Sequence, residues 1–311
     1  MDPIDAALGN RTTTESLSAL MQVYYDKLFL KRAKPVLVMD QFGQIRRIPP
    51  NTGKIIQFTK YLVLPKNITP LTEGTNPNGI NLSAVSSSAT VAEYGDWAKI
   101  SSLVSLTAMD PDLKEKTELF AQQAAESMEY LSARECATAG TVQLASGKAD
   151  LTAIAATDTL ASSEIRKAVR QLKRNKGLKI NGKWICVIGS DTEFDFQDDP
   201  NWKSAQEYAG STALFDGEIG TWFGVRFVYT TEQYSEASTV TVYSNLMFGA
   251  EAFGLVPLAN VGEPKIIVKK PDSTTTSDPL NRYSTVGWVA TRGQKVLNAD
   301  WIINIKTGAS S

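Results

Sequence analysis

The chain has 311 residues, 42% hydrophobic and 21% charged, with a formal net charge of −1. That balance suits a globular protein with one large or two modest domains, and it lacks the basic excess of a free nucleic-acid-binding domain. Histidine is absent and there are two cysteines, which excludes Ser-His and Cys-His mechanisms and leaves too few ligands for a structural zinc site.

In chain order, residues 15–32 predict a helix, because Leu17, Leu20, Met21, Tyr24 and Leu28 recur near helical spacing. The opening MDPIDAALGN carries two acids and no basic apolar leader, so no export signal is expected. A short apolar run, Pro35 to Met39, leads to a turn at Gly43. From 53 to 106 the chain reads as extended, with Ile55, Phe58, Tyr61 and Val63 before, and Val91, Tyr94, Trp97 and Ile100 after, a segment of different composition. That segment, 66–90, is rich in Pro, Gly, Asn, Ser and Thr. A loop of this length without a core pattern is unusual inside a compact domain. Bracketed by strands, it predicts a two-stranded arm that orders on a neighbouring subunit.

Asp110-Pro111 opens the clearest helix, Asp110 as N-cap and Pro111 in the first turn. Its expected seam is Leu113, Phe120, Ala124, Met128 and Leu131, and Gly140 stops it after Ala139. Such a helix is ~43 Å long at ~1.5 Å per residue, against a radius of gyration of ~20 Å for a compact chain of this size. It would act as a spine. Residues 150–262 then alternate helix and strand: a helix over Glu164–Lys176 capped by Ser162 or Ser163 and stopped by Gly177, a buried strand Trp184–Ile188, a helix over Asp191–Ala209 interrupted at Asp199-Pro200, and strands at 224–229 and 239–243. The tail returns to strands at 265–269, 286–290 and 301–305, with a turn-rich loop at 271–281. Asn245 to Gly262 is weakly charged, but Glu251, Pro257 and several glycines exclude a membrane span. Trp97, Trp222, Trp288 and Trp301 stand in strand-like context, where core packing is the default, and Cys136 and Cys186 read as buried free thiols.

Little chemistry survives inspection. Gly177 to Lys183 nearly spells a phosphate-binding loop, but Trp184 stands where Ser or Thr should hold magnesium, and the loop follows a helix instead of a strand. It predicts a helix C-cap and a hairpin-like turn. Asp191, Glu193, Asp195, Asp198 and Asp199 form an acidic cluster, yet Phe196 and Trp202 occupy the Gly and Glu positions of a calcium loop. Arg166, Lys167, Arg170, Lys173, Arg174 and Lys176 make the Glu164–Lys176 helix basic. That face is open to nucleic acid, to solvent, or to an acidic patch on a neighbouring subunit. No catalytic, cofactor or metal residue is assigned.

The order of parts is an N-terminal segment, an extended arm, a spine helix, a mixed domain and returning strands. It resembles the major capsid proteins of tailed bacteriophages, whose fold is shared with the floor of herpesvirus capsids. Gly217 to Val225, a glycine-bounded turn into a strand, and Phe248 to Gly254 are similar to successive elements of that family's axial domain. Asp278 to Asn281, Val286-Gly287-Trp288 and Val296-Leu297-Asn298 resemble the C-terminal part of the podovirus-type subfamily. The resemblance implies an α+β fold divided into an N-arm (1–50), an extended loop (51–105), a peripheral domain with the spine helix (106–149 and 263–311) and an axial domain (150–262). It implies a non-enzymatic subunit that assembles as hexamers and pentamers of an icosahedral capsid around phage DNA, without sequence-specific DNA binding, cofactor or membrane. An encapsulin-like shell or a phage tail subunit is the alternative. Residues 1–50 are short for a cleavable scaffolding domain, so a separate scaffolding protein or a processed chain is expected, alongside a portal and a decoration protein. The location implied is the virion, after assembly in the host cytoplasm. Some members crosslink through a lysine of the extended loop; Lys54, Lys60 and Lys66 lie there, and nothing marks any as reactive. The residues expected at subunit interfaces are Lys66 and Glu73 on the arm, and Arg166, Arg170 and Lys173 opposite Asp195, Asp198 and Asp199.

Overall fold

A computed structural model describes residues 37–48, 53–71, 73–74, 76, 79–101, 112–202, 218–257, 264–269 and 282–310. The expected helix at 15–32, the Asp110-Pro111 cap and the loop at 271–281 lie outside them.

Helix α1 (Asp112–Ala139) touches two sheets. Its N-terminal half packs Ala121, Ala124 and Met128 on Ile100, Ile266, Val286, Trp288 and Ala290. Its C-terminal half packs Ala133, Cys136 and Ala137 on Ile185, Val187, Leu246, Phe248 and Ile302. The seam is therefore narrower and smaller than the expected one: Phe120 and Leu131 are only half-buried, and the fully covered positions are chiefly alanines. Small side chains let the helix backbone lie close on both sheets, which a pattern of large apolar residues does not reveal. Beyond Ala139, the Gly140 N–H bonds the Cys136 carbonyl at 3.0 Å.

The first sheet holds β1 (Gln44–Ile45), β4 (Ala92–Ser101), β11 (Phe253–Pro257), β12 (Lys265–Lys269) and the long β13 (Tyr283–Val296). Strand β13 pairs antiparallel with β4 over ten residue pairs, Tyr283↔Ser101 to Arg292↔Ala92, and with β12 and β11. The alternation of the strands puts Ile100, Ile266, Val286 and Trp288 against α1 and turns Trp97, Lys99 and Ile267 outward. Trp97, expected in the core, is 58% exposed. It rests against Gly287, where a Cβ would stand 2.6 Å from its own.

The strands of the second sheet are β5 (Thr141–Leu144), β6 (Trp184–Ile188), β7 (Glu218–Trp222), β8 (Val225–Tyr229), β9 (Ser235–Ala237), β10 (Thr241–Phe248) and β14 (Ile302–Thr307). They run in the order β5-β14-β10-β6-β8-β7, with β9 beside β10. The β5–β14 and β6–β8 pairs are parallel and the rest antiparallel. All five residues of β6 are buried, as a central strand covered on both faces requires. One face meets α1. The other is covered by α2 (Ser162–Arg174) and α3 (Ser190–Asp198), through Ile165, Ala168, Val169 and Leu172 of α2 and Phe196 of α3. The two sheets divide the chain differently from the expected segments. Strand β11, within 150–262, joins the first sheet, while β5 and β14, from the flanking segments, join the second.

The arm is β2 (Ile55–Tyr61) paired antiparallel with β3 (Ala84–Thr90), Ile55↔Thr90 to Tyr61↔Ala84. Phe58 and Ala89 pin its base to the body with Ile48, Val91 and Val256. Beyond it the described residues of 62–83 carry no regular structure after the Leu62 N–H to Ser83 carbonyl bond of 2.9 Å.

Candidate interaction surfaces

Among the described residues, no group of three or more His, Cys, Asp or Glu stands where it could hold a metal. Burial pushes the thiols of Cys136 and Cys186 far above the ordinary range, so neither is a thiolate nucleophile. Both should resist an aromatic disulfide reagent in the native chain and react together on unfolding in urea; fast labelling of either in the native state would contradict the buried placement. Residues 177–183 form the turn expected of them. The Gly177 N–H bonds the Leu172 carbonyl at 2.8 Å, Lys176 takes φ 52, and Asn181-Gly182 closes a two-residue hairpin between Ile180 and Lys183.

What the molecule does offer is uncovered apolar surface in particular places. On the arm, Val63, Ile68, Leu71, Ile80 and Leu82 are all exposed, Ile68 to 88%. Scattered exposed apolar residues are ordinary, but here five fall on one segment beyond the β-paired base. Lys66 and Glu73 are exposed on the same segment. Lys60 lies over the Trp301 ring at 5.8 Å, closer to the body.

The second surface is the outside of α2 and α3. On α2, Arg166, Arg170, Lys173 and Arg174 are exposed, while Lys167 pairs with Glu164 at 2.7 Å. Arg166 sits over the ring of Phe223, 5.5 Å from its centroid, and Phe223 is 52% exposed at the β7–β8 turn. On α3, Phe194 is 71% exposed, with Asp191 and Asp198 one turn either side of it. The Tyr243 hydroxyl donates to Asp191 at 2.7 Å, and the Ser310 N–H donates to Asp195 at 3.0 Å.

Asp199 has a different task from its neighbours. The N-cap position of α2 is Ala161, with no side-chain cap from Ser162 or Ser163. The cap comes from the end of α3 instead: Ser162 N–H donates to the Asp199 carboxylate at 2.7 Å, and the Asn201 N–H donates to it at 2.8 Å. Partial burial pushes this carboxyl up, but the bonds from Ser162 and Asn201 outweigh it and hold the carboxyl below its ordinary value. Asp199 thus locks α3 to α2 inside one chain.

A third cluster is internal. Glu129, buried midway along α1, accepts the Met39 N–H on both oxygens at 3.0 and 3.1 Å. One 3-10 turn, Met39–Gln41, carries Asp40, which takes both terminal nitrogens of Arg292 from β13. Arg292 also donates to Ser132 at 2.7 Å. Sequence reading singled out none of the four, since Asp40 and Arg292 are 252 residues apart. The cluster clasps the strap ahead of β1 to the spine helix and to β13.

Comparison with known proteins fits this arrangement. A family model described as phage capsid protein matches residues 99–252. Among solved structures, the capsid of Ralstonia phage GP4 aligns with TM-score 0.67 over 86% of this chain and 87% of that one, at 12% identity. The capsid of cyanophage P-SCSP1u aligns with TM-score 0.64 over 88% and 89%, at 16% identity. The head of Helicobacter pylori bacteriophage KHP40 aligns with TM-score 0.59 over 85% and 87%, at 13% identity. No curated protein matches the chain in sequence.

Proposed function

We propose that this chain, which has the fold of tailed-phage capsid proteins and matches the phage capsid protein family over residues 99–252, is the major structural subunit of an icosahedral capsid. It is a component of the virion. Copies assemble as hexamers and pentamers, in the host cytoplasm, into a shell that encloses the phage DNA genome. A separate scaffolding protein, a portal and a decoration protein complete the particle. The observation that carries this reading is the arm. It is a two-stranded projection pinned at its base, with exposed apolar residues beyond, which has no function in an isolated subunit. The axes of such rings are closed by heterologous contacts, one surface meeting a different one on the next copy, and an arm laid on a neighbour is such a contact. Lys66 and Glu73 take part in it.

The test is assembly of the purified full chain, viewed by electron microscopy, with and without limited trypsin. Closed shells are the expected product. Trypsin should cut the free subunit at Lys66 and spare the assembled shell, because the arm's apolar residues are then covered. A subunit that stays monomeric at every concentration, or an arm cut equally fast in both states, would count against the proposal. Shells filled with protein cargo would point to an encapsulin-like compartment, and tubes to a tail.

A further inference from the structure

We infer that the exposed face of α2, together with the turn that follows it, is where the subunit meets the phosphates of the DNA inside the shell. This rests on the shell reading, which supplies the duplex, and adds which surface touches it. Between Glu164 and Asp191 the sequence holds eight basic residues and no acid, in a chain whose net charge is −1. The fold keeps them together. Arg166, Arg170, Lys173 and Arg174 recur every three or four residues along the exposed side of α2, while Ile165, Val169 and Leu172 are buried against the sheet. After α2 the Gly177 N–H bonds the Leu172 carbonyl, and the hairpin that follows exposes Lys179 and Lys183. The β7–β8 turn joins the two sets. Arg166 lies over its Phe223 ring, and the Lys179 ammonium stands 3.9 Å from where a Cβ on Gly224 would be.

Little of this charge is neutralised within the chain. Lys167 pairs with Glu164, but among the described residues Arg170, Lys173, Arg174, Lys176 and Lys183 form no ion pair. Arg166 and Lys179 sit over aromatic rings, Phe223 at 5.5 Å and Trp184 at 4.5 Å, and a ring orients a cation without cancelling its charge. Glu251 and Asp300 are brought near by backbone contacts, the Ala250 N–H on the Leu178 carbonyl and the Asn175 amide on the Asp300 carbonyl, yet neither carboxylate pairs with the patch. The α3 helix of a second copy is a poor counterpart, because Asp191 accepts the Tyr243 hydroxyl, Asp195 the Ser310 N–H, and Asp199 caps α2. A duplex is a better one. From Arg166 to Arg174 the helix rises ~12 Å, and over that length DNA carries about seven phosphate charges, one per ~1.7 Å of its axis. Phosphate contacts position a duplex without reading its bases, as a shell holding any part of a genome requires.

The test is a salt titration of the purified full-length chain with a fluorescent random-sequence duplex of about 30 base pairs, read by anisotropy. Each phosphate contact contributes about −0.9 to the slope of log K against log salt concentration. Arg170→Gln with Lys173→Gln should therefore flatten the slope by about 1.8 and weaken binding at ~50 mM salt at least roughly tenfold. That chain should still close shells under the electron microscope. A comparison chain carries Lys265→Gln and Lys269→Gln, the same loss of charge from exposed lysines of β12, and should keep the wild-type slope. All four positions are exposed, so the three chains should melt within a few degrees of one another. An unchanged slope in the Arg170→Gln, Lys173→Gln chain, or an equal loss in both variants, would overturn the inference. So would wild-type DNA binding with failed assembly, which would give the α2 face to another protein surface. Shells from a wild-type chain that does not bind the duplex would sink this inference alone. A wild-type chain that binds the duplex through α2 but closes no shell would support the patch and sink the shell reading.

Discussion

A chain with Val63, Ile68, Leu71 and Leu82 all replaced by serine is expected to fold and melt like the wild type and to close no shells. All four side chains are exposed in the subunit, and exposed positions away from caps and buried networks usually change stability by no more than about 0.5 kcal/mol. If a neighbouring copy covers them, each apolar side chain contributes about 1.5–3 kcal/mol on burial. Part of that is offset by ordering the arm, so the four together amount to roughly 5 kcal/mol per subunit contact, or several thousand-fold in an association constant. Every subunit of a ring makes such a contact, so the loss is repeated around it. Sedimentation and electron microscopy at matched concentrations provide the readout. Shells from the quadruple variant at the wild-type concentration would show that the arm is ornamental to assembly. A lowered melting temperature would show instead that its apolar residues pack within the chain.

Much of the architecture is legible in the sequence because it is written locally. The 28-residue spine helix, the all-buried β6 and the two-stranded arm each follow from periodicity or composition over a short window. What escapes is whatever depends on distant residues. Strand β14 lies between β5 and β10 in the second sheet, although its neighbours along the chain, β12 and β13, belong to the first. A strand's alternation fixes which side chains share a face, but not which sheet accepts the strand. Trp97 reads as core because it is a large aromatic residue in a strand-like segment, yet the register that buries Ile100 turns it outward.

The interaction surfaces show the same division. The basic character of α2 and the acidic character of α3 are visible as composition. That Asp199 serves as a cap is not, because the donor is Ser162, 37 residues away. Phe194 and Phe223 were not singled out from sequence, since an aromatic residue in a helix or near a turn is by default core. The signal that could have marked Phe194 is its position among Asp191, Asp195 and Asp198, a helix face too polar to lie against a sheet.

The clasp at Glu129 should make the subunit less stable as pH rises, and Glu129→Gln should abolish that part of the slope. Burial pushes the Glu129 carboxyl up to about 8 and is the leading cause; the Met39 N–H opposes it, the nearby Asp40 charge adds to it, and Arg292 and the Val38 N–H oppose it. In the unfolded chain the same group titrates near its ordinary value of 4.5. Between these two values the folded state binds the extra proton, so the slope of unfolding free energy with pH is negative there. The loss begins as pH rises through the unfolded value and is complete once it passes the folded one, reaching on the order of 5 kcal/mol if the whole shift is expressed. Glutamine keeps an oxygen to accept the Met39 N–H and carries no proton to lose. Urea unfolding of both chains at pH 5, 7 and 9 should therefore show the variant close to wild type at the lowest pH and more stable by a few kcal/mol at the highest. Groups shared by the two chains, including the Asp40–Arg292 pair, cancel in the difference to first order. Parallel curves would mean that Glu129 stays ionised throughout and that Arg292 compensates it fully. In that case Arg292→Ala, which strands two carboxylates beside the strap, should be the costlier change, at about 3–5 kcal/mol.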